Sequence, residues 1–237
     1  MEWNGFKIDE FEFEGMQAKV VIPSVKPNGK WMLKTEYFGA FPGMEIELIK
    51  KGYHLCFIQN KTRWCIDEDL QRKERFCDFV TGKYNLDSKC VIVGMSCGGL
   101  IGVKFTALYP ERVSVLYLDA PVMNFLSIPY CLGIAKDKSM IEEFETNTGM
   151  TLADVISYRN HPIDKMDVLL ENKIPVLLVC GDSDDVVPYE ENGKLLYEFY
   201  TENKGEIKLI LKPGIGHHPH GLENAGEMID YIEKLYI

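Results

Sequence analysis

Val91-Ile-Val-Gly94-Met-Ser96-Cys97-Gly98-Gly99-Leu100 is the stretch from which the rest of the chain is read. Cys90–Gly94 is short, apolar and β-branched, as a strand buried on both faces must be. Gly98–Tyr109 reads as a helix, and Pro110 stops it. Between them lies G-x-S-x-G. A serine at the tip of such a strand-to-helix turn sits in strained backbone with its hydroxyl exposed, and glycines two residues either side let strand and helix approach. The helix start adds positive potential and free N–H groups suited to a developing oxyanion, that of Cys97 first. Short glycine motifs also arise by chance, so the bland alternative is a glycine-rich turn with an incidental serine. Cys97 as nucleophile fits less well, because it lies one residue past the centre of the motif.

Working outward, strands and helices alternate. Phe6–Glu12 and Met16–Ile22 predict a hairpin turning at Glu14-Gly15, and Trp31–Leu33 a short buried strand. The helix Gly43–Lys51, the strand Tyr53–Gln59 and the helix Asp67–Tyr84 precede the serine; the strand Val113–Leu118 follows its helix. Residues 122–173 break the rhythm, with helical patterns near Ser127–Gly133, Ser139–Thr146 and Leu152–Tyr158. That is too long for an ordinary connection and predicts a small helical cap. Pro175–Cys180, Glu190–Tyr200, Ile207–Leu211 and Asn224–Leu235 then complete the alternation. Such order predicts an α/β domain over 1–237, its mostly parallel sheet covered by helices on both faces. In such sheets reactive groups gather beyond the carboxyl ends of the strands.

A serine hydroxyl needs a base and an orienting acid to react at neutral pH. Gly181-Asp-Ser-Asp184-Asp185-Val-Val-Pro188 follows a buried strand and offers three aspartates. Asp184, three residues after Gly181, is the preferred acid; Asp185 is its rival, and Asp182 suits turn formation. Gly214-Ile-Gly216-His217-His218-Pro-His220-Gly221 follows the last strand, and a histidine on this glycine-rich loop can reach over the serine. His217 is the preferred base, with His218 and His220 as alternatives. Three histidines in four residues also invite a metal reading. Pro219 breaks helical spacing and no cysteine or carboxylate cluster completes a set, so no metal is expected.

Composition narrows the function further. The 237 residues carry a net charge of −10, which argues against binding a phosphate backbone. Seven cysteines without CxxC spacing, several inside apolar runs, read as small buried hydrophobes and suit a reducing cytoplasm. No basic stretch leads into an apolar one at the N-terminus, and no apolar run approaches the roughly 18 residues of a membrane span. Neither a signal peptide nor a membrane partner is therefore expected.

GMSCGG, GDSDDVVP and GIGHHPHG, in the order serine, acid, histidine, resemble the three active-site segments of the α/β-hydrolase superfamily. The resemblance covers essentially the whole chain. It implies a sheet of about eight strands, a cap inserted before the strand that precedes the acid, and no cofactor. One departure concerns the second oxyanion donor: where many members carry a His-Gly pair, this chain has Thr35-Glu36-Tyr37-Phe38-Gly39. A backbone N–H near Glu36 or Tyr37 is the expected substitute. The serine also excludes relatives that use an aspartate nucleophile, such as haloalkane dehalogenases and epoxide hydrolases.

The expected activity is hydrolysis of a small carboxylic ester through an acyl-enzyme. The run of the chain, with NGKWML early and HHPHGL late, looks like bacterial hydrolases found beside carbohydrate-degrading enzymes and hints at a sugar or plant ester. Tyr37 is expected beside the substrate, and Phe125, Ile128, Tyr130 and Leu132 of the first cap segment wall the pocket or pack the cap onto the body; Arg63 and Trp64 lie at the rim or in an ordinary loop. Two alternatives stand: a small peptidase or amidase resembling prolyl oligopeptidases, and a binding protein that kept the fold with little turnover.

Overall fold

Alternation within each strand sorts the core into two layers. Cys90 and Ile92 pack on one face of their strand, Val91, Val93 and Met95 on the other, since successive side chains point to opposite faces. The computed structural model describes residues 1–236. Its sheet holds β1 (Glu2–Trp3), β2 (Phe6–Phe13), β3 (Met16–Ile22), β4 (Trp31–Lys34), β5 (His54–Ile58), β6 (Cys90–Met95), β7 (Val113–Asp119), β8 (Val176–Gly181) and β9 (Ile207–Lys212). The spatial order is β1-β2-β3-β5-β4-β6-β7-β8-β9. From β5 through β4 to β9 every pairing is parallel, while β1, β2 and β3 add antiparallel strands at one edge. The two-residue β1 makes nine strands against the eight expected. The leading hairpin turns through Glu14 and Gly15, both at positive φ, as two-residue hairpin turns demand.

Helices α1 (Gly43–Lys50) and α8 (Gly226–Leu235) cover one face, through Met44, Leu48, Ile49, Met228 and Ile232. On the other face lie α2 (Asp67–Tyr84) and α3 (Cys97–Leu108), through Leu70, Phe76, Leu100 and Phe105. Each fully buried aliphatic or aromatic side chain contributes about 1.5–3 kcal/mol of transfer free energy. Two such layers hold the sheet without covalent staples: six of the seven cysteines are buried, and all are free.

Residues 122–173 contain α4 (Ile141–Thr148), α5 (Leu152–Ser157) and α6 (Met166–Glu171). Asp154 accepts the Thr151 N–H at 2.8 Å and so caps the start of α5. The helix expected at Ser127–Gly133 is absent; turns occupy 125–130 instead, because Pro129 supplies no N–H and turns its predecessor away from helical geometry. The short α6, six residues long, was not anticipated. Helix α7 (Gly193–Glu202) starts later than expected, after a 3-10 turn at Tyr189–Glu191. Asn192 separates the two, accepting the Met123 N–H at 2.9 Å and donating to the Pro188 carbonyl at 3.0 Å. Among the described residues no helix is long and apolar enough to cross a membrane.

Candidate active site

Four parallel strands end on one rim of the sheet, and at or just beyond each end stands a residue of the site. Met95 of β6 pairs with Asp119 of β7, Asp119 with Val179 of β8, and Gly181 of β8 with Lys212 of β9. Residues just beyond these ends therefore converge whatever their separation in sequence.

Ser96 follows β6 at φ 52° and ψ −121°, a region that an L-residue occupies only when its surroundings impose it. The Ser96 N–H donates to the Asp119 carbonyl at 2.9 Å, and the Ser96 carbonyl accepts N–H groups of Gly99 and Val122. Gly94 is required two residues earlier: a Cβ there would stand 2.7 Å from the Gly98 carbonyl oxygen. Thr35, the residue after β4, donates its hydroxyl to that same oxygen at 2.6 Å and ties the turn to the neighbouring strand.

His217 joins the serine to the acid. Its Nε2 lies 3.1 Å from Ser96 Oγ and its Nδ1 2.8 Å from Asp184 Oδ2. The other Asp184 oxygen accepts the N–H groups of Val186 and Val187 at 2.9 and 2.8 Å, so the buried carboxylate is held on both sides. Asp185 faces solvent. Asp182 accepts the Gly214 N–H at 2.7 Å and shapes the turn. The histidine loop comes this close because residue 181 is glycine: a Cβ there would lie 2.1 Å from the Ile215 carbonyl oxygen. With Asp184 on Nδ1, the lone pair of a neutral imidazole is directed at the hydroxyl.

Cys97 begins α3, and its N–H is among those a helix start leaves without an intrahelical acceptor. Its thiol is buried, which pushes the pKa up to about 11 despite the nearby Arg63 and Tyr37. A thiol held protonated at neutral pH is a poor nucleophile. Glu36 and Tyr37 part company: the Glu36 carboxylate turns to the Asn60 amide, whereas Tyr37 has φ 55° and lines the cavity above Ser96. Burial raises the Tyr37 phenol well above its ordinary range, with the Cys97 sulfur adding to the shift.

The cavity holds about 300 Å³ and is walled by Phe41, Met95, Val122, Ile128, Met140, Val186 and Val187. Phe125 and Tyr130, expected at the substrate, do not line it. Phe125 is buried against Phe144, Tyr158 and His161, and the Tyr130 hydroxyl lies 2.9 Å from Glu145 and 3.1 Å from the Met150 carbonyl. Of the first-segment residues expected at the pocket, Ile128 does line it; Met140, which no spacing singled out, lines it as well.

Arg63 lines the cavity and is paired with Glu143 of α4, whose carboxylate also accepts from the Trp64 indole at 3.1 Å. This strap joins residues 122–173 to the sheet. Sequence reasoning missed Asp119, although the rule that found Asp184 covers an aspartate ending β7. Asp119 is buried and accepts from His220 Nδ1 at 2.7 Å, from the Tyr117 hydroxyl and from the Gly221 N–H. The histidine loop also gathers what helical spacing had argued against: ligand nitrogens of His217, His218 and His220 lie within 4.8 Å of one another.

Known proteins resemble this chain in sequence and in fold. Alpha/beta hydrolase domain-containing protein WAV2 of Arabidopsis thaliana is 26% identical over 164 residues, 66% of this chain and 51% of that one. A protein of Mycoplasma pneumoniae named an esterase/lipase is 26% identical over 196 residues, 68% of this chain and 70% of that one. In shape, a puromycin-hydrolyzing peptidase of Mycobacterium tuberculosis superposes with a TM-score of 0.72 at 13% identity, over 97% of this chain and 38% of that one. The chain thus spans only about half of the first relative and less of the peptidase. The family model for prolyl oligopeptidases matches residues 77–236, a span that runs from α2 to α8 and includes Ser96, Asp184 and His217. A match of that extent over a nine-stranded sheet of this order makes the chain a member of the α/β-hydrolase superfamily and of its prolyl oligopeptidase family.

Proposed function

We propose that this protein is a serine hydrolase that cleaves a small carboxylic ester through an acyl-enzyme. One observation carries the reading: the hydrogen-bonded chain Ser96–His217–Asp184 at the carboxyl rim of the sheet. His217 Nε2 takes the proton of Ser96 as Oγ attacks the ester carbonyl carbon. The tetrahedral anion is held by the N–H of Cys97 and that of Tyr37, whose turn into the cavity favours it over Glu36 as second donor. His217 then protonates the departing alcohol oxygen. Water, deprotonated by the same nitrogen, attacks the acyl carbon; the bond to Ser96 Oγ then breaks, His217 returns the proton to that oxygen, and the acid leaves. Asp184 fixes the imidazole tautomer and stabilises its cation.

The cavity supports a small acyl or alcohol group, since about 300 Å³ with apolar walls stands at the lower end of the range for small-molecule sites. Peptide or amide cleavage is the second reading, favoured by the family itself. An aminopeptidase holds a charged amine with carboxylates; among the described residues lining this cavity none is acidic, and the one full cation is Arg63. That contrast supports the ester.

Reaction with a fluorophosphonate tests the nucleophile: one adduct on Ser96 of the folded protein is expected, and no adduct would favour a binding protein. Matched short-chain ester and amide substrates, with acetylated sugars in the panel, test the bond. A higher kcat/KM for the amide would replace the first reading by the second.

A further inference from the structure

Both ring nitrogens of His217 are engaged in the triad, yet two more imidazoles stand against it. The His217 and His220 rings lie 4.9 Å apart, His218 and His220 5.0 Å apart, each pair edge-on. His220 is held as His217 is, with a buried carboxylate on Nδ1: Asp119 at 2.7 Å. A carboxylate there fixes the tautomer that leaves Nε2 its lone pair, which is how metal-binding histidines are oriented. His218 is exposed and lies flat on Phe41, with ring centroids 5.4 Å apart. All three rings border the cavity above Ser96.

We propose that His217, His218 and His220 form a site for a divalent transition metal of the zinc class, and that occupancy switches the hydrolase off. Imidazole nitrogens suit Zn²⁺, Cu²⁺ and Ni²⁺ rather than Mg²⁺ or Ca²⁺. The three ligand atoms lie within 4.8 Å of one another. Nitrogens sharing a tetrahedral zinc at about 2.0–2.1 Å stand about 3.4 Å apart, so the rings close by up to about 1.4 Å. The exposed His218 ring supplies most of that movement, and water supplies the fourth ligand. The metal takes the Nε2 lone pair of His217, the pair that would accept the serine proton. Binding itself depends only on the three imidazoles; the loss of activity rests on the proposed role of His217.

The experiment uses chelator-treated full chain. Calorimetric titration with ZnCl₂ is expected to show one saturable site, and Co²⁺ a visible absorption band that zinc abolishes. His218→Ala should weaken zinc binding at least ten-fold, and Asp119→Asn by about 10–100-fold through lost orientation of His220. No saturable binding, or binding by His218→Ala equal to that of the wild type, overturns the site; the exposed position of His218 keeps this arm readable if Asp119→Asn does not fold. Fluorophosphonate labelling of Ser96 is followed in parallel, each variant normalised to its metal-free rate. Labelling that falls with zinc occupancy supports the switch, and labelling unchanged at saturation overturns it. Absent labelling without metal defeats the serine-hydrolase reading and leaves the binding measurement intact.

Discussion

Asp184 and Asp185 are chemically the same residue in adjacent positions, and only one of them is buried against an imidazole. Asp184→Asn preserves shape but gives His217 Nδ1 an uncharged partner that no longer stabilises the imidazolium. A loss of about 10³–10⁴-fold in kcat is expected. Asp185→Asn should change kcat less than about two-fold, since an exposed carboxylate in solvent couples weakly to the site. Steady-state kinetics on one ester, with circular dichroism as a check on folding, compares the two. Spacing alone left this pair open, as it left His217 open against His218 and His220. The motif around Ser96 was legible because it carries its own geometry, with glycines where strand and helix nearly touch.

At the scale of elements, Lys34 at the end of β4 is decisive. Its ammonium is buried, bonded to Glu45 of α1 and to the Ala40 carbonyl, both at 2.6 Å. One lysine thus anchors a helix to the sheet and holds the loop that brings Tyr37 and Phe41 to the cavity. Among the described residues the second Glu45 oxygen has no hydrogen-bond partner, so the carboxylate is held by the Lys34 ammonium. Lys34→Met should cost about 3–5 kcal/mol, because it strands a buried carboxylate. Lys34→Met combined with Glu45→Met should recover most of that loss; urea unfolding of both variants measures it. Equal destabilisation of single and double variants would refute the pairing argument. Nothing in the sequence marked this bond: β4 and α1 were readable as separate elements, and a lysine ending an apolar strand reads as a solvated charge.

Across the whole molecule, stability and acidity are linked through two histidines away from the site. His54, starting β5, and His161, within the segment 122–173, are buried, and burial lowers both pKa values below the usual imidazole range. His161 Nδ1 also accepts the Phe125 N–H at 3.2 Å, which a protonated nitrogen cannot do. Unfolded imidazoles take up protons near pH 6.5 while the folded ones resist, so the unfolded state binds more protons in that window. Stability is therefore fully present above about pH 6.5, falls as the pH drops below it, and levels off once the folded groups protonate. Thermal melts from about pH 7.5 to about pH 5 should show a falling Tm. His161→Asn should melt at lower temperature overall but with a shallower slope; an unchanged slope would remove His161 from the account.

By itself the sequence determined what rests on neighbours along the chain: the two-residue alternation of the strands, the start and stop of most helices, and the turn that presents Ser96. It also determined the order serine, acid, histidine. Tertiary structure alone decided which aspartate and which histidine meet, that Phe125 and Tyr130 pack away from the cavity, and that Asp119 orients a second imidazole. The physical reason is register. Parallel strands bring their ends to one rim over separations of up to 121 residues, and no local propensity encodes which side chains on those loops then fall within 3 Å or so of each other.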